Sequence, residues 1–255
     1  MKNIWLICCK DLKSYFTTWI AYSLLTRVAI VLGFFFYVAA AIFATRSAQA
    51  SMMGGGMPMD VNEWVIRPLL MNVAVISLFL IPMIGMRLFA EEKNTGTIEL
   101  LLTSPVRDFE IVLGKWLGGL LFYCCFLGIA ALNLGFLFVY GKPDWKPVVL
   151  GLLGLVLQGG ALLAVCTFLS SLTRNQIIAA DAGFTVCLLL WVLDWVSAYN
   201  TSAWAKVLSY ISLSTHLEQF SKGVLDSRDL VYYASMIFLW LFLTARSVES
   251  LRWRS

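Results

Sequence analysis

The chain has 255 residues, of which 60% are hydrophobic and only 13% charged, with a formal net charge of +4. Soluble domains carry roughly 45–50% apolar and about 25% charged residues, so a soluble domain is excluded. The small basic excess gives no footprint for nucleic acid. What matters in such a chain is where the basic residues stand along it.

Residues 3–16 read as an amphipathic helix, with Ile4, Cys8, Leu12 and Tyr15 on one face and Lys10, Asp11 and Lys13 on the other. Such a segment suits a membrane surface ahead of a first span. The same charges interrupt any apolar core, so the start is not read as a cleavable leader. A hydrocarbon core of about 30 Å takes about 20 apolar residues per helix. Six stretches meet that length or come close: 20–44, 68–86, 112–139, 148–169, 177–195 and 230–245. Residues 45–64, with Gly54, Gly55 and Gly56, read as a polar loop, and Arg87 to Glu110 as a charged block. The expectation is an all-α integral membrane protein with a single transmembrane domain over 1–255.

Placing both termini in the cytoplasm puts 11 basic residues on inner segments and 7 on outer ones. That bias, with basic charge close to the span ends, sets the expected orientation. Small residues recur four apart at Gly114/Gly118, Gly160/Ala164 and Ala179/Gly183. In lipid such spacing lets helix backbones approach closely, within a bundle or between two copies. The six cysteines show no CxxC spacing and read as small packed hydrophobes.

The stretch from Phe89 to Pro105 carries the most information. As one helix it stacks Glu91, Thr95 and Glu99 on a face and groups Ile98, Leu101 and Leu102 as an apolar patch. Gly96 inside that helix would cost about 1 kcal/mol, useful only for a close approach or a bend. Ser104-Pro105 reads as a cap and first position of the next helix. Such a helix offers a face to a soluble partner, or simply lies at the interface.

The run Glu91-Glu92-Lys93-Asn94-Thr95-Gly96-Thr97-Ile98-Glu99, then Leu100-Leu101 and Pro105, resembles the loop of ABC-2-type permeases, the membrane subunits of type V ABC exporters. Lys10 to Phe16 is similar to their N-terminal interfacial helix, most of all in the gliding-motility-associated branch. Ser214 to Asp226, followed by Asp229, resembles that branch's segment before the last span. The resemblance implies a permease that dimerises with a second copy or paralogue in the bacterial inner membrane and docks on separate ATPase subunits. It implies a coupling helix between spans two and three, with Glu91, Glu92, Gly96, Thr97 and Glu99 as coupling residues. It also implies re-entrant helices between spans five and six, with an outer gate around His216, Glu218, Phe220, Gly223 and Asp226.

The chain itself has no GxxxxGK[ST] phosphate loop: Gly114-Lys115 is followed by Trp116 and Gly141-Lys142 by Pro143. It is therefore not read as an enzyme, and ATP and Mg would be bound by the partner. Met52, Met53, Met57 and Met59 could offer soft ligands to copper, or simply form a flexible loop. His216 is the only histidine, which leaves a structural role and no catalytic set. Asp181 and Asp194 fall in or beside span five as candidate functional carboxylates. A stand-alone transporter or channel, or an ABC complex that transmits force without translocation, are the other readings.

Overall fold

The computed structural model describes residues 2–52, 60–98, 106–140, 143–199 and 210–252, and among these there is no strand. Eight α-helices follow in order among the described residues. They are α1 (Lys2–Thr17), α2 (Trp19–Met52), α3 (Arg67–Thr95), α4 (Asp108–Tyr140), α5 (Trp145–Leu172), α6 (Gln176–Tyr199), α7 (Leu213–Ser221) and α8 (Ser227–Arg252). A π-helical turn, Asn62–Ile66, leads directly into α3. Six helices are long and apolar enough to cross a membrane, as expected: α2 to α6 and α8.

Several boundaries move outward. Residues 45–52, expected in a loop, continue α2. The π turn with α3 spans 34 residues, a rise of about 51 Å against a hydrocarbon core of about 30 Å. The surplus is why residues 87–95 of the expected charged block ride on the span-two helix. Span three starts at Asp108, where Glu110 Oε2 accepts the Arg107 N–H at 3.4 Å, half of a capping box. Ser104, Pro105 and the methionines 53, 57 and 59 lie outside the described residues.

Helix α5 is the centre of the bundle, packing on α3, α4, α6, α7 and α8, whereas α2 sits at the edge. Lipid is as apolar as leucine, so close backbone approach and hydrogen bonds take over the work of packing. Gly85 admits Cys166, whose Cβ would lie 2.4 Å from an added methyl, and a methyl added at Gly183 would lie 3.1 Å from the Cys166 sulfur. Cys166 and Cys187 lie 3.7 Å apart as buried thiols, and all six cysteines are free. The Ser77 and Tyr123 hydroxyls share a 2.8 Å hydrogen bond, and Tyr123 also reaches the Leu155 carbonyl at 3.3 Å. Trp116 Nε1 donates to the Gly160 carbonyl at 3.0 Å. Each bond ties one span to another where no water is on hand to replace it.

Gly159 faces the Tyr123 ring so closely that an added Cβ would sit 2.1 Å from it, while nothing lies within 4 Å of one at Gly128. Gly159→Ala is expected to destabilise the purified protein by about 1–3 kcal/mol. Gly128→Ala is expected to be neutral or up to about 1 kcal/mol stabilising. Thermal unfolding in detergent measures both.

Candidate functional site

At the end of the bundle shared by α1 and the close of α8, three helices meet around one ammonium group. Lys115, in the second turn of α4, is 2% exposed. Its Nζ lies 2.8 Å from Glu92 Oε1 on α3 and 3.5 Å from Asp11 Oδ2 on α1. It also stands 5.3 Å from the Phe89 ring centre. Lys10 adds a longer contact of 3.7 Å to Glu92. A buried ion is tolerable only when it is paired, and here two carboxylates from two helices share one cation. Burial raises the Asp11 carboxyl above its ordinary range; Lys115 works against that rise and Glu92 adds to it.

The helices can come this near because α4 turns Gly114 and Gly118 toward α1. A methyl at Gly114 would lie 2.8 Å from Ile7 Cβ, and one at Gly118 would lie 3.2 Å from Asp11 Cβ. The expected close approach at this pair is real, and its partner is the N-terminal amphipathic helix. Asn3 Nδ2 extends the contact, donating to Glu110 Oε2 at 3.3 Å. Next along α1, Tyr15 stacks on Phe122 at 4.9 Å and donates to the Ile84 carbonyl at 3.0 Å. Burial pushes its phenol well above the usual range. Arg87 lies over the Tyr15 ring at 5.6 Å and donates to Glu91 through Nε at 2.8 Å.

The far side of α3 is clamped to α5. Ser170 Oγ accepts the N–H groups of Phe89 and Ala90 at 3.2 and 3.0 Å and donates to the Met86 carbonyl at 3.1 Å. Lys93 Nζ donates to the Ser171 carbonyl in the last turn of α5, and Ser171 reaches Ser247 of α8 at 3.0 Å. The last three turns of α3 are thus gripped by α1, α4 and α5 together. A cleft of about 210 Å³ remains between α1 and α3, lined by Lys10, Asp11, Glu91, Glu92, Thr95 and Lys115.

Beyond this grip the chain turns. Gly96 ends α3 in the left-handed conformation (φ 74°, ψ 2°), the common helix terminator. Nothing lies within 4 Å of a Cβ added there, so the glycine serves the turn and not a close approach. The reading of Glu91, Thr95 and Glu99 as one helical face is therefore corrected: the helix stops at Thr95. The Thr95 and Thr97 hydroxyls meet at 3.0 Å across the turn. Asn94, Thr95, Gly96 and Thr97 form an exposed tip, while Glu91 and Glu92 point back into the brace. Glu99 lies outside the described residues.

The five residues expected as an outer gate divide into separate tasks at the opposite end. Phe220 is buried in the core, close enough to Gly154 that an added Cβ would sit 2.8 Å from Phe220 Cβ. Gly223 turns the chain at φ 78° beside Pro147. Asp226 precedes α8 and accepts the Arg228 N–H at 3.0 Å. Glu218 pairs with Arg67 and with Lys222, the latter at 3.0 Å. His216 is buried against α8, with Nδ1 2.6 Å from Asp229 Oδ1 and Nε2 2.9 Å from the Tyr210 carbonyl oxygen. Asp181 is exposed, and the side chain of Asp194 lies outside the described residues.

Sequence reasoning missed Lys115, Arg87, Lys93 and Ser170. The signal for Lys115 was present: an ionisable residue within an apolar span is a candidate for function by default.

This combination defines a multi-pass, all-α membrane protein with a charged brace at one end of its bundle. Residues 18–244 match the family described as ABC-2 family transporter protein, and the chain belongs to that family: it is a membrane permease of the ABC transporter type. No match was found among curated proteins.

Lys115→Met would leave Asp11 and Glu92 buried without their shared cation and should cost about 3–5 kcal/mol. Asp11→Asn, which removes a charge that burial already disfavours, should cost less than about 1 kcal/mol. Thermal unfolding of the two purified variants gives the comparison.

Proposed function

We propose that this chain is the membrane-spanning subunit of an ATP-driven exporter, acting as a dimer on separate ATPase subunits that bind ATP and Mg. The observation that carries the proposal is the exposed Asn94–Thr97 tip at the end of a helix gripped on three sides. A partner pressing on a frayed loop would only deform it. Pressing on this tip moves α3, and with it α1, α4 and α5. ATP-driven closure can bias the spans only through such differential contact.

In this reading Gly96 and Thr97 shape the docking tip, Glu91 and Glu92 transmit load through Arg87 and Lys115, and Glu99 belongs to the same coupling set. The tip and both termini face the cytoplasm of a bacterial inner membrane, in keeping with the basic bias of those segments. The exposed flank of α2 takes the second copy. Helix α7, with nine residues, rises only about 14 Å. It is too short to cross and forms a re-entrant outer gate segment, moored by Phe220 and turned by Gly223.

Thr97→Trp and Asn94→Trp alter exposed positions and should leave thermal stability unchanged. Each should lower co-purification of a P-loop ATPase in mild detergent by about tenfold, the loss of one interface contact of ~1.4 kcal/mol. Undiminished ATPase recovery with both variants would remove the tip from the coupling surface.

A further inference from the structure

We propose that the joint between α7 and α8 is a proton-binding site, in which His216 is held as a doubly protonated imidazolium against the Asp229 carboxylate. A neutral imidazole has one N–H and one lone pair. Here both ring nitrogens face oxygens at hydrogen-bonding distance, Asp229 Oδ1 at 2.6 Å and the Tyr210 carbonyl at 2.9 Å. A carbonyl oxygen has no proton to give, and an ionised carboxylate has none either. Satisfying both contacts takes one proton more than a neutral ring and a carboxylate carry between them. The two side chains are 93% and 92% buried by their exposures of 7% and 8%, so solvent does not relieve the mismatch.

The extra proton has two places to sit: on the ring, or on the Asp229 carboxyl as a donor to Nδ1. Two further observations favour the ring. Tyr232 stacks on the imidazole at 4.0 Å with an interplanar angle of 18°, presenting a π face that attracts a cation. Asp229 lies in the first turn of α8, where the helix dipole favours a negative carboxylate. Among the described residues, the titratable groups contacting the ring are Asp229, Tyr232 and Tyr233 from α8, and Tyr210 from the segment before α7.

The ligand is the proton itself, and its loss acts on the fold. Without it, a nitrogen lone pair faces either the Asp229 oxygen or the Tyr210 carbonyl, and that contact opens. Among the described residues Asp229 Oδ2 has no hydrogen-bond partner, so the carboxylate is anchored to them through the Oδ1 contact with the ring. The attachment of Tyr210 and α7 to α8 is therefore complete with the proton bound and loosens as the pH rises. The inference does not rest on the exporter reading.

His216 is the sole histidine of the chain, so the whole protein labelled with ¹⁵N-histidine gives one native imidazole signal set. Near pH 7, where a water-exposed imidazole is mainly neutral, both ring nitrogens should show a directly bonded proton. In Asp229→Asn the amide can donate to Nδ1, so the ring should become neutral with its proton on Nε2. A wild-type spectrum with one bare ring nitrogen would overturn the proposal, and so would an Asp229→Asn ring that keeps both protons. The wild-type spectrum alone decides if the variant does not fold.

Discussion

The ammonium of Lys115 is the group around which one end of this protein is organised. Carrying a charge into a packed helix junction is costly unless oppositely charged groups meet it there. Glu92 and Asp11 do so from two other helices. Because Glu92 belongs to α3 and Asp11 to α1, pairing both fixes where these helices lie against α4. Gly114 and Gly118 then set the distance, since a methyl would clash with Ile7 at the first and press against Asp11 at the second. The ion cluster selects the partners and the glycines let them close.

The rest of the molecule follows the rule that lipid supplies no hydrophobic force between helices. Buried polar contacts between spans therefore recur wherever the bundle must be specific: Ser77 with Tyr123, Trp116 with the Gly160 carbonyl, and Ser170 with the backbone of α3. The last of these lies just where α3 passes from its apolar stretch to its charged end. Lys93 adds a second bond to the closing turn of α5. Helix α3 is consequently a continuous rod from the π turn to Gly96, and its exposed tip is mechanically joined to the centre of the bundle.

The crossing helices were legible because each carries a long apolar run, and that signal is local. The amphipathic start was legible for the same reason, from the spacing of Ile4, Cys8, Leu12 and Tyr15. Helix ends were not. The charged residues after Met86 suggested a boundary, yet the backbone stays helical because Ser170 and Lys115 satisfy groups that water would otherwise claim. Sequence spacing places Gly96 inside a helix, whereas the left-handed turn it adopts is visible only in the backbone. The partners of Lys115 were beyond local patterns, since Asp11 is remote in sequence and ion pairing has no periodicity. At the opposite end, the run from Ser214 to Asp226 resembled one functional segment. Its residues take separate parts in anchoring, turning, capping and ion pairing, because side chains adjacent in sequence point to different neighbours.

In the proposed coupling, α3 carries force from a docked partner at its tip into the bundle through the Lys115 brace. Hydrogen exchange of the full chain in nanodiscs, with and without its co-purified ATPase subunit, tests this most directly. Partner binding is expected to slow exchange at 91–98 and in α1, and to leave α7 unchanged. Unaltered exchange at 91–98, with protection appearing elsewhere on the chain, would contradict it.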